Sequence, residues 1–444
     1  MLGYYTRLAF RSFARNPALT LLMAMAIALG IAVCVMTLTI YHVMAGNPLP
    51  QKSGRLFAVT IDSWAAERPA NRERPQLPPT QLTYRDAEAL FRADIPKRKT
   101  LTYQASGILS GGPDQPLPLR IRGRVATADF FPMFEVPFEF GSAWDARADS
   151  APEPVVVLSH SINERLFGGA NSVGRTLRWN NRQFRIVGVM ADWHPRPIFY
   201  DLSYGNFNDP EDVYFPWGWG EALELRANSI RCWKFEELAQ FKALQGSECT
   251  WVLMWVELPD AAAIARMQAF VDSYWADQHE AGRFARPRNN RLTTVDRWLI
   301  EQEVLQNDNR VLVQVAFAFL GVCLLNTVGL LLAKFLNEST WSGVRRALGA
   351  SRRDIFAQHF VEAALLAVTG AMVGVLLSWL GLWGIRVMYR PTEDAGGGYV
   401  ALAHFDGSSL VWAGALAILA TLVAGVYPAW RVGRLSPAVC LKSQ

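Results

Sequence analysis

Charge is missing from four stretches of this sequence. Ala18 to Met44 carries no acidic or basic residue before His42, and Val311 to Ala333 carries none at all. The run between Glu362 and Ile385 and the run from Leu410 to Trp430 are equally bare. A helix that crosses a bilayer needs about 20 apolar residues, and each of these runs is long enough. Four such runs exclude an ordinary soluble helical core, as does a mean hydropathy of +0.10 with 51% hydrophobic residues. The first run is also too long for a cleaved signal, whose apolar region spans only about 7–15 residues. An uncleaved anchor is expected.

The motifs of common chemistry are missing too. No G-x-x-x-x-G-K-[ST] loop occurs, which removes the usual backbone cradle for ATP. There is no H-E-x-x-H, no paired C-x-x-C and no nucleophile elbow. With no catalytic residue and no metal ligand set to nominate, the chain is not expected to be an enzyme. Asp192 and His194, in "ADWHPRP", come close in sequence, but a lone Asp-x-His in a loop reads as a surface feature. No acidic or basic group lies deep inside an apolar run, where proton relays and ion paths need one. Gln314 and Asn326 are the conspicuous amides there. The net charge of +5 gathers beside the apolar runs, and no aromatic-interleaved basic motif points to nucleic acid.

Cysteine is scarce, at five in 444 residues. Cys34 and Cys323 fall in apolar runs and Cys440 near the end, which leaves Cys232 and Cys249 in the polar middle. A bridge between them would close a loop of about 16 residues, worth about 3 kcal/mol in the chain-entropy account, if that region meets an oxidising compartment. Two unrelated thiols are the alternative.

The basic residues that are present orient the chain, because short Lys/Arg-rich loops stay cytoplasmic. Arg7, Arg11 and Arg15 precede the first run. Lys334, Arg345, Arg346, Arg352 and Arg353 lie between the second and third, and Arg431, Arg434 and Lys442 follow the fourth. All three clusters share one side if every run spans. The expected fold class is therefore membrane α-helical, with four transmembrane helices and a large α/β domain on the other side. The order is a cytoplasmic segment 1–17, a span 18–44, an outside domain 45–308, a span 309–335, a cytoplasmic segment 336–355, a span 356–387, an outside loop 388–408, a span 409–430 and a cytoplasmic tail 431–444.

Within the outside domain, "RLFAVTID" (55–62), "QFRIVGVMAD" (183–192) and "TWVLMWVEL" (250–258) read as strands. "PTQLTYRDAEALFRA" and the stretch after Asp260 read as amphipathic helices, with Asp260 as N-cap. A β-α unit at each end of the domain implies one subdomain built from both chain halves, 45–123 and 247–308, around an inserted segment 124–246.

Small residues recur four apart in the spans: Ala24, Ala28 and Ala32; Gly370, Gly374 and Ser378; Ala413, Ala417, Thr421 and Gly425. This spacing lets helix backbones approach closely, in a tight bundle or a dimer, with Asn326 available to hydrogen-bond across the interface. Between the second and third spans, "VRRALGASRRDIF" sets Val344, Ala347, Leu348 and Ile355 among paired arginines. It reads as a short amphipathic helix, a turn at Gly349-Ala350, and a new helix capped by Ser351. Such a segment could rest on anionic lipid or dock into a cytoplasmic partner.

"NTVGLLLAKFL", "GVRRALGASRRDIFAQHFVEAALLAVTGAMVG" and "YPAWRVGRLSPAVCLK" resemble the FtsX-like permease domain of MacB-type ABC transporters, the mechanotransmission family. "GRVATADFFPMFEVPFEFG" and "VVVLSHSINERLFGGANSVGRTLRWNNRQFRIVGV" resemble that family's periplasmic core domain. The resemblance implies a coupling helix made of Val344, Arg345, Arg346, Ala347, Leu348, Gly349 and Ala350, sitting on a separate ABC ATP-binding subunit. ATP and Mg²⁺ would be bound by that subunit, and this chain would bind no cofactor itself. Glu362 matches an acidic residue at the start of the family's third span, where the helix N-terminus and nearby Arg352 and Arg353 would favour it. The outside domain would divide into a porter part (45–123 and 247–308) and an inserted sabre part (124–246). Trp341 and Ser342 depart from the acidic and aliphatic residues usual before the glycine.

Also implied are a second permease copy or a non-identical homologue, a periplasmic adaptor of the membrane-fusion type, and residence in the cell inner membrane. Export or extraction of a periplasmic substrate is the expected function. A non-transporting regulator of a periplasmic enzyme is the alternative within the family, and a sensor a third class.

Overall fold

A computed structural model describes residues 2–110, 118–151, 153–304, 307–337, 344–346 and 348–388, and residues 415, 419, 422 and 425–431 nearer the C-terminus. The chain divides into two compact units, one of Met1–Ala45 with Leu305–Gln444 and one of Gly46–Val304.

The first unit is helical. An amphipathic helix, Leu2–Arg15, is followed by a second helix, Pro17–Ala45. Pro17 supplies the break, since a proline fits the first turn of a helix but not its interior. Helices Asn307–Asn337 and Arg352–Met388 are the long helices that follow among the described residues. Among the described residues three segments are long and apolar enough to cross a membrane: Pro17–His42, Arg310–Asn337 and Arg352–Ile385. The fourth expected span, 409–430, lies largely outside the described residues, as do Ala347, residues 338–343, the tail beyond Arg431 and most of the 388–408 loop.

The small-residue stripes of the first and third spans meet each other. A Cβ placed on Gly370 would lie 2.7 Å from Ile27, and one on Gly374 would lie 2.9 Å from the carbonyl oxygen of Ala28. Neither position has room for a side chain. Ser378, next in the stripe, is buried and returns its hydroxyl to the Val375 carbonyl at 2.8 Å. Asn326 lies on a face of its helix that the single chain leaves exposed, while its neighbour Thr327 is buried and donates to the Cys323 carbonyl at 2.8 Å. A conspicuous amide does not reveal which way its helix is turned.

The second unit is built on one sheet of eleven strands among the described residues. In chain order they are β1 (Leu56–Thr60), β2 (Leu82–Thr83), β3 (Arg98–Ser110), β4 (Leu119–Ala126), β5 (Phe138–Gly141) and β6 (Val155–Leu158). Then come β7 (Thr176–Trp179), β8 (Arg182–Met190), β9 (Val213–Pro216), β10 (Thr250–Glu257) and β11 (Arg291–Thr294). The main path runs β11-β1-β10-β3-β4-β9-β6-β8-β5, with β2 beside β10 and β7 bridging β3 and β8. Most neighbours are antiparallel, while β4 with β9 and β6 with β8 are parallel. β1 and β10 pair from opposite ends of the domain sequence. The sheet continues through β4, which holds Arg124, into β9 and the strands beyond.

Both faces of this sheet are covered, which explains why β1, β6 and β10 read as unbroken apolar runs rather than alternating ones. Phe57, Val59, Val156 and Leu158 enter one core, while Leu56, Ala58, Val155 and Val157 enter another. The second core is aromatic: Phe134, Phe199 and Trp298 surround the buried Trp255, with ring centroids 5.7–5.9 Å away. The helix Ala261–Glu280 starts at Asp260, whose side chain accepts the Ala263 amide at 2.7 Å. Cys232 and Cys249 form a disulfide.

Buried charge is handled by pairing. Arg124 is fully buried on β4 and donates to Asp201 at 2.8 Å and to Glu211 at 2.6 Å. Burial pushes the Glu211 carboxyl up, but the Arg124 charge and hydrogen bond outweigh it, so the group stays below the usual carboxylate range. His194 meets Asp192 at 2.8 Å in a partly exposed loop.

Candidate coupling site

The stretch between the second and third spans begins, among the described residues, with one helical turn. The amide of Leu348 donates to the carbonyl of Val344 at 3.0 Å, and that of Ala350 to Arg345 at 3.0 Å. Gly349 then takes φ +106°, a conformation that costs glycine little and other residues much. The next helix starts at once. Ser351 accepts the Asp354 amide at 3.2 Å while Asp354 takes the Ser351 amide at 2.9 Å, a reciprocal cap built on an Asp.

This tight elbow leaves Leu348 standing out at 83% exposure and Val344 at 39%. Arg352 and Arg353 are exposed beside them. Arg345 is turned inward, donating to the Tyr4 hydroxyl at 2.9 Å and to the Gln358 side chain. Tyr5 donates in turn to Asp354 at 3.2 Å. The amphipathic N-terminal helix is thereby stitched to both sides of the elbow. An apolar knob with arginines beside it, on a base fixed by hydrogen bonds, suits insertion into a partner's groove better than a mobile loop would.

Glu362 lies elsewhere than expected. The helix begins at Arg352, so Glu362 is ten residues in, beyond the first turn where the helix dipole acts. Its partner is Lys334 on the preceding span, 2.5 Å away, with both side chains 1% exposed. Ser12 of the N-terminal helix donates to the same carboxylate oxygen at 2.6 Å. The other oxygen lies 3.8 Å from His359 Nδ1, and the Lys334 ammonium sits 5.0 Å from the Phe13 ring. Three helices thus converge on one carboxylate. Sequence reasoning named Glu362 and Lys334 separately and missed the pair. Lys334 directly follows one apolar run and Glu362 directly precedes the next, so the two face each other only if the helices are antiparallel.

Residues 20–274 match the MacB-like periplasmic core domain, and residues 313–437 match the FtsX-like permease C-terminal domain. The pyoverdine export ATP-binding/permease protein PvdT of Pseudomonas aeruginosa is 24% identical over 318 residues, 71% of this chain and 41% of the relative. The macrolide export ATP-binding/permease protein MacB of Nitrosomonas europaea is 26% identical over 297 residues, 66% of this chain and 38% of the relative. The chain therefore spans about two-fifths of the length of the curated relatives it matches. The periplasmic region of MacB from Actinobacillus actinomycetemcomitans superposes on 59% of this chain and 98% of its own, with a TM-score of 0.38 and 15% identity.

Proposed function

This chain belongs to the MacB-like periplasmic core domain family and carries an FtsX-like permease region, and from that premise we propose that it converts motion driven by a separate ATPase into work on a periplasmic substrate. The family makes it a multi-pass membrane permease. The inner membrane, the cytoplasmic placement of both termini, the fourth span and the porter and sabre division of the outer domain belong to the proposal.

The observation that carries the reading is the elbow: Leu348 exposed on a turn whose base is held by Tyr4, Gln358 and Asp354. An ATP-binding subunit would grip Val344 to Ala350. ATP and Mg²⁺ would be held on that subunit. When two such subunits close on ATP, each elbow moves as a rigid body. The shift passes into the third span at its cap and into the second span through Lys334 and Glu362. The spans continue in sequence into the Gly46–Val304 unit, which acts on the substrate. A second permease copy or a non-identical homologue completes the pair, and a periplasmic adaptor fits an export role. The relatives PvdT and MacB are named for export, joining ATP binding to a permease.

The test is co-purification of an ATP-binding protein with the full chain. Leu348→Asp places a charge in the knob, and Arg346→Glu reverses one beside it. Each is expected to reduce recovery of the ATPase at least about tenfold, as a centrally placed contact does, with the chain still inserted. Undiminished assembly in both variants would refute docking at the elbow.

A further inference from the structure

The Gly46–Val304 unit contains a cavity of about 680 Å³ that the coupling role does not use. It lies among the helix Tyr84–Phe91, the start of β3, the link after β4, and the short helices Arg147–Ser150 and Gly218–Ala222. Its volume is within the range of about 300–1,000 Å³ typical of sites for drug-sized molecules.

One wall is aromatic and rigid. Tyr84 and Trp217 stack at 6.0 Å with planes 8° apart, and Trp251 backs Tyr84 at 5.6 Å. The Trp217 indole donates to Glu88 at 2.8 Å, which fixes its plane. The charged groups of the lining are mainly acidic. Glu88, Asp129, Asp149 and Glu221 contribute four carboxylates against a single ammonium, that of Lys99. Lys99 is already engaged: it donates to the Ala93 carbonyl at 2.7 Å and sits 4.9 Å from the Phe91 ring. Asp149 is oriented by the Ala128 amide at 2.8 Å and the Trp144 indole at 3.0 Å. Burial pushes its carboxyl up to about 6 against the pull of those hydrogen bonds, so a positive charge placed beside it would be welcome. Rings with negative faces and four carboxylates beside one engaged ammonium favour the same ligand charge.

We propose that this cavity binds a drug-sized organic cation bearing a flat ring, with the ring against the Tyr84–Trp217 wall and the charge among Asp149, Asp129 and Glu221. The site stands independently of coupling to an ATPase, and its ligand class follows from the lining alone. An anion of the same shape would meet four carboxylates, and a cation without a ring would leave the aromatic wall uncovered.

Isothermal titration calorimetry on the full chain in lipid nanodiscs distinguishes these cases. The probes are N-methylacridinium, its anionic counterpart acridine-9-carboxylate, and tetramethylammonium. The ringed cation is expected to bind, with each of the other two at least about tenfold weaker. Glu221 is exposed, so Glu221→Lys leaves the fold intact, and it should weaken N-methylacridinium about tenfold or more. Equal binding of the cation and the anion, absence of binding by N-methylacridinium, or unchanged affinity in Glu221→Lys would each overturn the proposal.

Discussion

The two units of this protein solve the packing problem by opposite means. The sheet unit fills its interior with large rings: Trp179, Trp251, Trp255 and Trp298 are all buried to within 2% of complete. The helical unit makes close contacts at residues with almost no side chain, among them Gly370 and Gly374 against Ala24, Ile27, Ala28 and Ile31. The difference follows from the solvent. In water, moving a ring out of solvent drives folding, so large residues are placed inside. Lipid tails are as apolar as leucine and offer no such gain, so helices associate through close backbone approach and polar contacts. Many large apolar side chains of the helical unit accordingly point outward, among them Leu325, Leu376 and Trp383.

That contrast can be broken from the water side first. Trp255→Ala should cost about 3–5 kcal/mol, as large aromatic truncations in cores do, and the loss should appear as a lowered melting temperature of the sheet signal in circular dichroism. Leu325→Ala, an outward residue of similar apolarity, should leave melting almost unchanged. Equal losses from the two would erase the distinction.

The polar pin gives the next effect. Lys334→Ala leaves the Glu362 carboxylate buried without its ion-pair partner and should destabilise the helical unit by about 3 kcal/mol. The double variant Lys334→Met with Glu362→Leu removes both charges and should recover most of that loss, measured by unfolding in detergent. If the double variant is as unstable as the single one, the pair contributes through shape rather than charge. The smallest effect is expected at the stripe. Gly374→Leu forces the first and third spans apart and should cost about 1–3 kcal/mol in the same assay. Gly329→Leu, where nothing lies within 4 Å of an added Cβ, should be neutral.

Local pattern carried much of this architecture. The three described spans, the strands around 55–62, 183–192 and 250–258, and the caps at Asp260 and Ser351 all depend on neighbours within a few residues, and sequence shows those directly. What was hidden depends on long-range placement. Lys334 and Glu362 are 28 residues apart and sit on different helices, so no local pattern pairs them. Helix rotation, which a lone residue does not reveal, leaves Asn326 exposed in the single chain and buries Thr327. The acidic, aromatic cavity is assembled from separate segments between Tyr84 and Ala222, none of which carries a motif. The elbow was legible as a turn, but its tie to Tyr4 links residues 341 positions apart.

The shared carboxylate of Glu362 also bears on how the chain is made. A lysine at the end of a span is poorly tolerated in lipid until it finds a counter-charge or reaches the headgroups. Lys334 leaves the ribosome before its acceptor does, so the second span completes its polar contacts only when the third arrives beside it. The buried Lys334–Glu362 pair exists only when both segments are present, so their insertion is expected to proceed together as a hairpin.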